Sequence, residues 1–456
     1  MPVSPARAAA FDILLRVERD SSYAPELLHS AAYERLSIAD HALATELVMG
    51  VLRWRSRLDY EIAAASSQAL SKLDLEILIA LRIALYQIRW LDRVPQRAAL
   101  HESVELVKRA RKRSGAPFVN AVLRKLTGAG AQKFEQSSSP EVLASTWAHP
   151  LWLVERWAKE YGLAAAQAIC EHDQSVPTTA IRLRTSDDEG ELERRLQGDG
   201  ISLSNGMLLS SARRVVSGDI TRTQAFQTGQ IVIQDEASQL VAALVGRSSH
   251  ERAKQDIRIL DCCAAPGGKT LAIADRNPDA TITAVELHPH RARLLQSLIR
   301  AAHSSARIQV IAADARRLPT SSLFDRVLVD VPCSGTGTLA RNPEIKWRLT
   351  PADLDELQAR QRAILRSALA QVAARGRLIY STCSLEREEN EDVVAETLAQ
   401  NSSFRLINCR VEVDALKANG ELTWPDPVAL TRGPYLRTIP GMHPCDGFFA
   451  AILEKS

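Results

Sequence analysis

Between residues 4 and 126 the apolar positions recur at the spacing of one helix face, and no period-two alternation interrupts them. Ser4-Pro5 predicts a cap with proline at the first helical position, followed by Phe11, Leu14 and Leu15 turned inward. Asp40 is the expected cap of a second helix that presents Leu43, Leu47 and Val51 to the interior. Residues 73–91 are apolar nearly all round, which predicts a central buried helix, and Val94-Pro95 breaks it. A helix from Gln96 and a last one over 117–126 complete an all-helical part. The polar, glycine-containing run 128–139 has linker composition. Residues 140–162 return to a helical pattern carrying Trp147, Trp152 and Trp157, which in amphipathic helices more often pack a core than stack on a base.

Residues 178–232 alternate short strands at 179–184 and 213–216 with one helix at 187–197, a small α+β module. Beyond it the rhythm is regular. Strands are predicted at 257–261, 281–286, 308–312, 326–330 and 377–381, with helices at 234–245, 289–302, 351–374 and 386–400. Two last strands are expected at 404–409 and 448–453. Alternating βα units imply a doubly wound parallel sheet that binds ligands at the carboxyl ends of its strands. The predicted fold is multidomain: an all-α domain over 1–130, linker helices with the small α+β module over 131–232, and a doubly wound α/β domain over 233–456.

Composition changes this picture in three ways. No apolar run reaches membrane-spanning length, and Asp12 and Glu18 interrupt what a signal peptide would need as its apolar core, so a cytoplasmic protein is expected. Seven cysteines without repeated spacing form no disulfide framework, and the adjacent Cys262-Cys263 pair with no histidines at zinc spacing argues against a structural metal. The net charge of +3 conceals an asymmetry: residues 1–130 hold 19 Lys and Arg against 14 Asp and Glu, the remainder 38 against 40. A basic front, with Arg53, Arg55 and Arg57 in a strip and the run 108–113, fits a polyanionic partner. The alternative is that such runs are solvated helix ends.

The chemistry centres on 257–270, IRILDCCAAPGGKT, which reads as strand, tight loop and helix start. Its glycines permit close backbone approach, and the helix start offers free N–H groups to a polar ligand. The spacing is neither the dinucleotide nor the P-loop fingerprint. Acids stand at or just past four strand ends: Asp261, Glu286, Asp314 and Asp330. One alone reads as a cap; four on one rim suit a ligand with a ribose diol, an exocyclic amine and a positive charge, as in S-adenosylmethionine, and would repel a triphosphate. Glu286 stands where doubly wound sites place their ribose acid. Cys333 and Cys383 follow successive strands, and if those strands are neighbours, about 5 Å apart, both thiols overhang one pocket. Otherwise each is a small buried hydrophobe. Two thiols beside a methyl-donor pocket suit methylation of an unactivated ring carbon, where a thiolate adds to the ring and is later expelled. A helix after Cys383 would favour its thiolate, whereas Glu386, Glu388, Glu389 and Glu391 would oppose it.

The motifs DCCAAPGGKT, DVPCSGTGT followed by RNPEIKW, and YSTCSLEREEN closely resemble those of the RNA cytosine carbon-5 methyltransferases, which are Rossmann-like class I S-adenosylmethionine-dependent enzymes. The resemblance implies that Cys383 is the nucleophile and Cys333 assists product release, with Asp330 and Lys269 also at the reacting ring. It assigns cofactor contacts to Cys263, Ala264, Ala265, Pro266, Gly267, Gly268, Lys269, Glu286, Asp314 and Asp330. Glu286 departs from the family, which more often has Asp there. In the front half, GVLRWRSRLD and FVNAVLRKL are similar to NusB, an RNA-binding helical domain. That fusion, with HPLWLVERW, IVIQDEASQ and DGFFAAIL, is similar to the bacterial 16S rRNA methyltransferase B family. The family implies small-subunit rRNA as partner, naked or in an early assembly particle, and cytosine 967 as target. Arg341, Lys346 and Arg348 are candidates for phosphate contacts near a flipped base, or else belong to a solvated loop. A tRNA cytosine methyltransferase would keep both cysteines. A non-catalytic assembly or antitermination factor would show damaged motifs, and here they are intact.

Overall fold

Proline at the first helical turn recurs where helices begin, at Pro5–Arg19, Pro140–Thr146, Pro289–Ala301 and Pro351–Leu369, because its fixed φ is already helical and its missing N–H has no partner there. The computed structural model describes residues 3–20, 22–128, 139–184, 189–246, 257–318 and 322–456. Nearly all of the run 128–139, with its linker composition, and the start of the helix expected at 187 lie outside the described residues.

The chain divides into two compact units, one of Met1–Val176 with Leu339–Arg348, the other of Pro177–Thr338 with Leu349–Ser456. The first is helical. Helix Leu75–Trp90 runs through its centre, with Ile79 to Tyr86 all buried against Leu14, Leu47, Leu58, Leu106 and Leu123. Each fully buried aliphatic side chain contributes about 1.5–3 kcal/mol, so this helix is a large source of the unit's apolar stabilisation. Arg82, buried in the same helix, is held by Asp59 at 2.7 Å and by Glu18 at 3.1 Å. The second helix is capped by Ser37, not Asp40: Ser37 Oγ accepts from Asp40 N at 3.1 Å, which places Asp40 inside the first turn of Ile38–Arg53. Trp54 stacks on Trp90 at 4.9 Å and lies 6.3 Å from Trp147, and Trp157 is buried, so these tryptophans pack a core.

The stretch Leu339–Arg348, which follows the Cys333 loop in sequence, packs within this helical unit. Arg53 donates to the Ala340 carbonyl at 3.0 Å, Trp347 to that of Leu52 at 2.6 Å, and Glu344 accepts from Ala24 N at 2.9 Å. Arg55 lies over the Trp347 ring and pairs with Glu18, and Arg57 pairs with Glu61. The strip of three arginines is therefore spent inside the unit rather than offered to a polyanion. Lys346 and Arg348 are corrected in the same way. Lys346 is buried beside His149 at 3.5 Å, and Arg348 donates to the carbonyls of Val17 and Ser22. Of the basic run 108–113, Lys108, Arg109 and Lys112 pair with Glu105, Asp12 and Asp74.

The second unit holds two sheets. Strands β1 (Ala180–Leu183), β2 (Ser202–Asn205), β3 (Ala212–Ser217) and β4 (Ile231–Ile233) form an antiparallel sheet in the order β2-β3-β1-β4. The large sheet comprises β5 (Arg258–Asp261), β6 (Thr281–Glu286), β7 (Arg307–Ala312), β8 (Phe324–Asp330), β9 (Val372–Thr382), β10 (Phe404–Ile407), β11 (Thr431–Arg432), β12 (Tyr435–Thr438) and β13 (Phe448–Lys455). Its order is β11-β12-β13-β9-β8-β5-β6-β7, with β10 on β13. The five strands β9-β8-β5-β6-β7 are parallel, as the βα rhythm requires. At the other edge the doubly wound parallel sheet is extended by strands the βα rhythm does not orient: β13 runs antiparallel to β9 and carries β10 and β12, also antiparallel. Helix 351–374 ends early at Leu369 because β9 begins at Val372. A helix not expected from the sequence, Cys409–Ala418, follows β10 and is capped by Asn408.

Candidate active site

The chain winds from β5 outward through β6 and β7, then returns to the other side of β5 at β8, so the strand order reverses between β5 and β8. Loops diverge at such a point, and ligands settle outside the carboxyl ends there. A cavity of about 550 Å³ lies at this place, a volume within the range of small-molecule sites. Its walls include Cys263, Ala265, Glu286, Asp314, Asp330, Cys333 and Cys383.

Each acid on the rim has its own local fixation. Glu286, at the end of β6, accepts from His288 N at 3.0 Å and faces Arg291 at 3.8 Å. Asp314 is gripped by Arg316 at 2.7 Å, and that hydrogen bond holds its carboxyl below the usual range. Asp330, at the end of β8, accepts from Ser381 Oγ at 2.7 Å and pairs with Lys269 at 2.8 Å. Burial works against the charge of Lys269, but Asp330 outweighs it and keeps the ammonium above its ordinary value. Asp261 does not line the cavity. It is buried behind the loop, accepts from Thr270 Oγ1 at 2.7 Å, and is pushed up to about 6 by burial. The rim thus has three facing acids and one internal brace.

The loop Cys262–Gly268 is likewise more specialised than its pattern suggested. Cys263 and Ala265 face the cavity, whereas Ala264 is buried and Pro266, Gly267 and Gly268 lead into helix Gly268–Arg276 outside the cavity wall. Gly267 has φ +115°, and a Cβ there would stand 2.6 Å from Leu295 Cδ1. This glycine serves a left-handed turn and close helix packing.

Strands β8 and β9 are neighbours in register, Asp330 opposite Ser381, so the loops that follow them emerge side by side. Cys333 Sγ and Cys383 Sγ lie 3.3 Å apart, in hydrogen-bond contact and unbonded. The hydrogen bond to Cys383, followed by burial and the neighbouring charge, pushes the Cys333 thiol well above its usual range, so one of the pair at most ionises near neutrality. Cys383 is also among the groups that favour the charged ammonium of Lys269. The helix expected over 386–400 is replaced by a short turn, Arg387–Glu389, and a helix Glu391–Leu398. Glu389 is thereby turned into the protein between the two cysteine loops, a role no sequence pattern disclosed.

The residues fit S-adenosylmethionine by the chemistry of their donor set. Glu286 suits a ribose diol, Asp314 an exocyclic amine, and Asp330 with the loop at Cys263 a charged amino-acid end. Among the described residues no group of His, Cys, Asp or Glu could hold a metal ion, and no helix is long and apolar enough to cross a membrane.

Comparison with known proteins bears on this geometry. Residues 251–454 match the family model for the 16S rRNA methyltransferase RsmB/F, 4–128 that for the NusB family, and 149–217 the ferredoxin-like domain of RsmF/B-like methyltransferases. A probable ribosomal RNA small subunit methyltransferase B of Bacillus subtilis is 33% identical over 465 residues, covering 100% of both chains. Its counterpart from Synechocystis is 31% identical over 99% of both. A methyltransferase homologue from Pyrococcus horikoshii superposes with a TM-score of 0.57 at 25% identity, over 70% of this chain and 100% of its own.

Proposed function

Because the chain belongs to the RsmB/F family of 16S rRNA methyltransferases, S-adenosylmethionine-dependent enzymes acting on RNA, we propose that it methylates carbon 5 of one cytosine, cytosine 967, through a covalent cysteine adduct. The observation that carries this reading is the thiol pair 3.3 Å apart in the wall of the cofactor cavity. A ring nitrogen or a ribose hydroxyl is itself nucleophilic and needs no thiol. Carbon 5 of cytosine becomes nucleophilic only after a group adds to carbon 6.

In the proposed sequence the target base is first extruded from its stack into the cavity. Cys383 Sγ forms a bond to carbon 6, and the displaced electron pair moves onto carbon 5 and the ring's polar edge. Lys269, held by Asp330 at 2.8 Å, donates to that edge and stabilises the charge that develops there, while Asp330 accepts from the ring's amino group. Bound S-adenosylmethionine supplies the methyl group that carbon 5 takes. A base then removes the carbon-5 proton, the carbon 6–sulfur bond breaks, and Cys333 assists this release.

The test is transfer of labelled methyl from S-adenosylmethionine to unmethylated 16S rRNA and to tRNA, followed by bisulfite mapping. One protected cytosine, in 16S rRNA, is expected. Label confined to tRNA would overturn the substrate. Cys383→Ala should abolish transfer and retain cofactor binding, whereas Cys333→Ala should accumulate a protein–RNA adduct as a slower gel band. The slow band appearing with Cys383→Ala instead would reverse the two roles.

A further inference from the structure

Among the acids that follow Cys383, Glu389 has no contact with the cavity yet is completely buried, in contrast to a solvated helix-end glutamate. Every group it meets donates to it. Its Oε1 accepts from Ser334 N at 2.8 Å and from Gln361 Nε2 at 2.8 Å, and its Oε2 from the hydroxyls of Ser334 and Ser384. A carboxylate has about four acceptor positions, and here all four are filled. Two of the donor residues are the immediate successors of the two cysteines: Ser334 follows Cys333, and Ser384 follows Cys383. Gln361 also donates to the carbonyl of Pro332, the residue before Cys333, at 3.0 Å. One carboxylate therefore gathers both thiol loops and the helix Pro351–Leu369 around a single point.

We propose that Glu389 is the positioning residue of the thiol pair: by binding Ser334 and Ser384 together it sets the separation of Cys333 Sγ and Cys383 Sγ. This deepens the proposed carbon-5 mechanism and rests on it. Neighbouring strands alone leave the loops beyond them free to diverge, because the ladder ends at Asp330 and Ser381. Beyond that point the loops are joined by Gly337 N to the Cys383 carbonyl at 2.8 Å, by Leu385 N to Thr336 Oγ1 at 2.9 Å, by the hydroxyl of Ser384 with those of Ser334 at 3.0 Å and Thr336 at 3.4 Å, and by the Glu389 clasp. The Ser334–Ser384 contact and the clasp engage the residue next to each thiol, and Glu389 Oε2, which accepts from both hydroxyls, holds that contact together. Glu389 touches no reacting atom; it acts through the two serines.

Glu389→Ala removes every acceptor of the clasp, and Ser334→Ala removes one hydroxyl arm while leaving the carboxylate and its bond from Ser334 N in place. The full-length protein and both variants are compared for methyl transfer to 16S rRNA, for S-adenosylmethionine affinity, and for the rate at which diamide oxidises the Cys333–Cys383 pair. In that probe reaction the two thiols lose two electrons and two protons to the reagent, which becomes the hydrazine. Glu389→Ala should lower kcat by about 10²-fold, the loss that a misplacement of ~1 Å brings, with KM for the cofactor unchanged. Its internal cross-linking should slow by at least ~10-fold, since effective molarity depends on the same alignment. Ser334→Ala should show a smaller loss in both. Cross-linking as fast as wild type in Ser334→Ala and in folded Glu389→Ala would overturn the proposal. If wild type leaves cytosine carbon 5 unmethylated or Cys383→Ala stays active, the mechanism fails, yet the cross-linking comparison still judges the clasp.

Discussion

Lys346 stands in the helical unit with its ammonium buried beside His149, Asp173, Cys170 and Arg53, and burial pushes it down to about 7. Its ordinary value is 10.5. The difference, at about 1.4 kcal/mol per unit, makes charging this lysine in the fold unfavourable by on the order of 5 kcal/mol relative to the unfolded chain. Below pH 7 both states hold the proton and the penalty is fully present. Between pH 7 and about 10 the unfolded chain holds a proton that the folded one has released, so stability rises with pH by up to about 1.4 kcal/mol per unit. Lys346→Met keeps the stem's volume and removes this dependence. It also relieves His149, which burial and the Lys346 charge hold well below its ordinary value, and lets it share a proton with Asp173 at 3.3 Å. That new pair would stabilise the variant at the acid end and fade as pH rises, the same direction as the loss of the lysine. The assay is urea unfolding from pH 7 to 9.5 followed by tryptophan emission. Trp54, Trp90, Trp147, Trp152, Trp157 and Trp347 lie in the helical unit, and Trp424 alone lies outside it, so the signal reports the unit in question. The stability of Lys346→Met minus that of wild type should fall by about 3 kcal/mol across this range. Parallel pH profiles would refute the reasoning, because they would mean that Lys346 keeps an ordinary affinity for its proton.

Two further outcomes follow from the catalytic unit. Asp314→Ala should weaken S-adenosylmethionine binding by about 1.5–3 kcal/mol, read by calorimetry, without changing RNA binding; an unchanged affinity would remove Asp314 from the cofactor site. Gly337→Ala should lose both turnover and stability, because a Cβ there would stand 2.2 Å from the Gly447 carbonyl oxygen and 2.8 Å from that of Cys383. Both neighbours are backbone and cannot yield cheaply, so a melting temperature equal to wild type would contradict the local geometry.

Local signals in the chain were legible where one short segment carried them. The apolar period of 75–90, the proline-initiated helices and the βα rhythm from β5 to β9 each follow from neighbouring residues, and the structure realises them. The direction of β13 was not legible, since period-two alternation is the same for parallel and antiparallel neighbours. Helix Cys409–Ala418 had a readable signal in Asn408, whose side chain caps it, but the apolar run 404–409 was read as strand to its end. The hairpin of β11 and β12 is marked by Gly433-Pro434, with Gly433 at φ +59°, in a stretch for which no element was predicted. The site divides along the same line. Asp330, Lys269 and the two cysteines sit in compact motifs, whereas Ala340 on Arg53, His149 on Lys346, and Ser334 and Gln361 on Glu389 come from distant segments, and nothing in sequence spacing announces them. Arg53 and Ala340, which share a hydrogen bond, are 287 positions apart.

That long-range pairing changes what a truncation can report. The chain leaves the Cys333 loop at Thr338, spends Leu339–Arg348 within the helical unit, and returns at Leu349 to begin the helix that carries Gln361. Deleting residues 1–130 would remove the carbonyls of Val17, Ser22 and Leu52 that Arg348 and Trp347 engage, the Ala24 N–H on Glu344, and the Trp54 ring beside Trp147. It would leave the buried ammonium of Lys346 in a half-built core and free both ends of a segment joined covalently to the Cys333 loop. Loss of RNA binding in such a deletion would therefore mix an electrostatic effect with unfolding. Charge reversal at exposed Arg111 and Arg113 separates them, since neither side chain is part of the helical core. If the helical unit contributes RNA affinity through phosphate contacts, the double reversal should lower affinity and flatten its dependence on salt, while cofactor affinity and the unfolding midpoint hold.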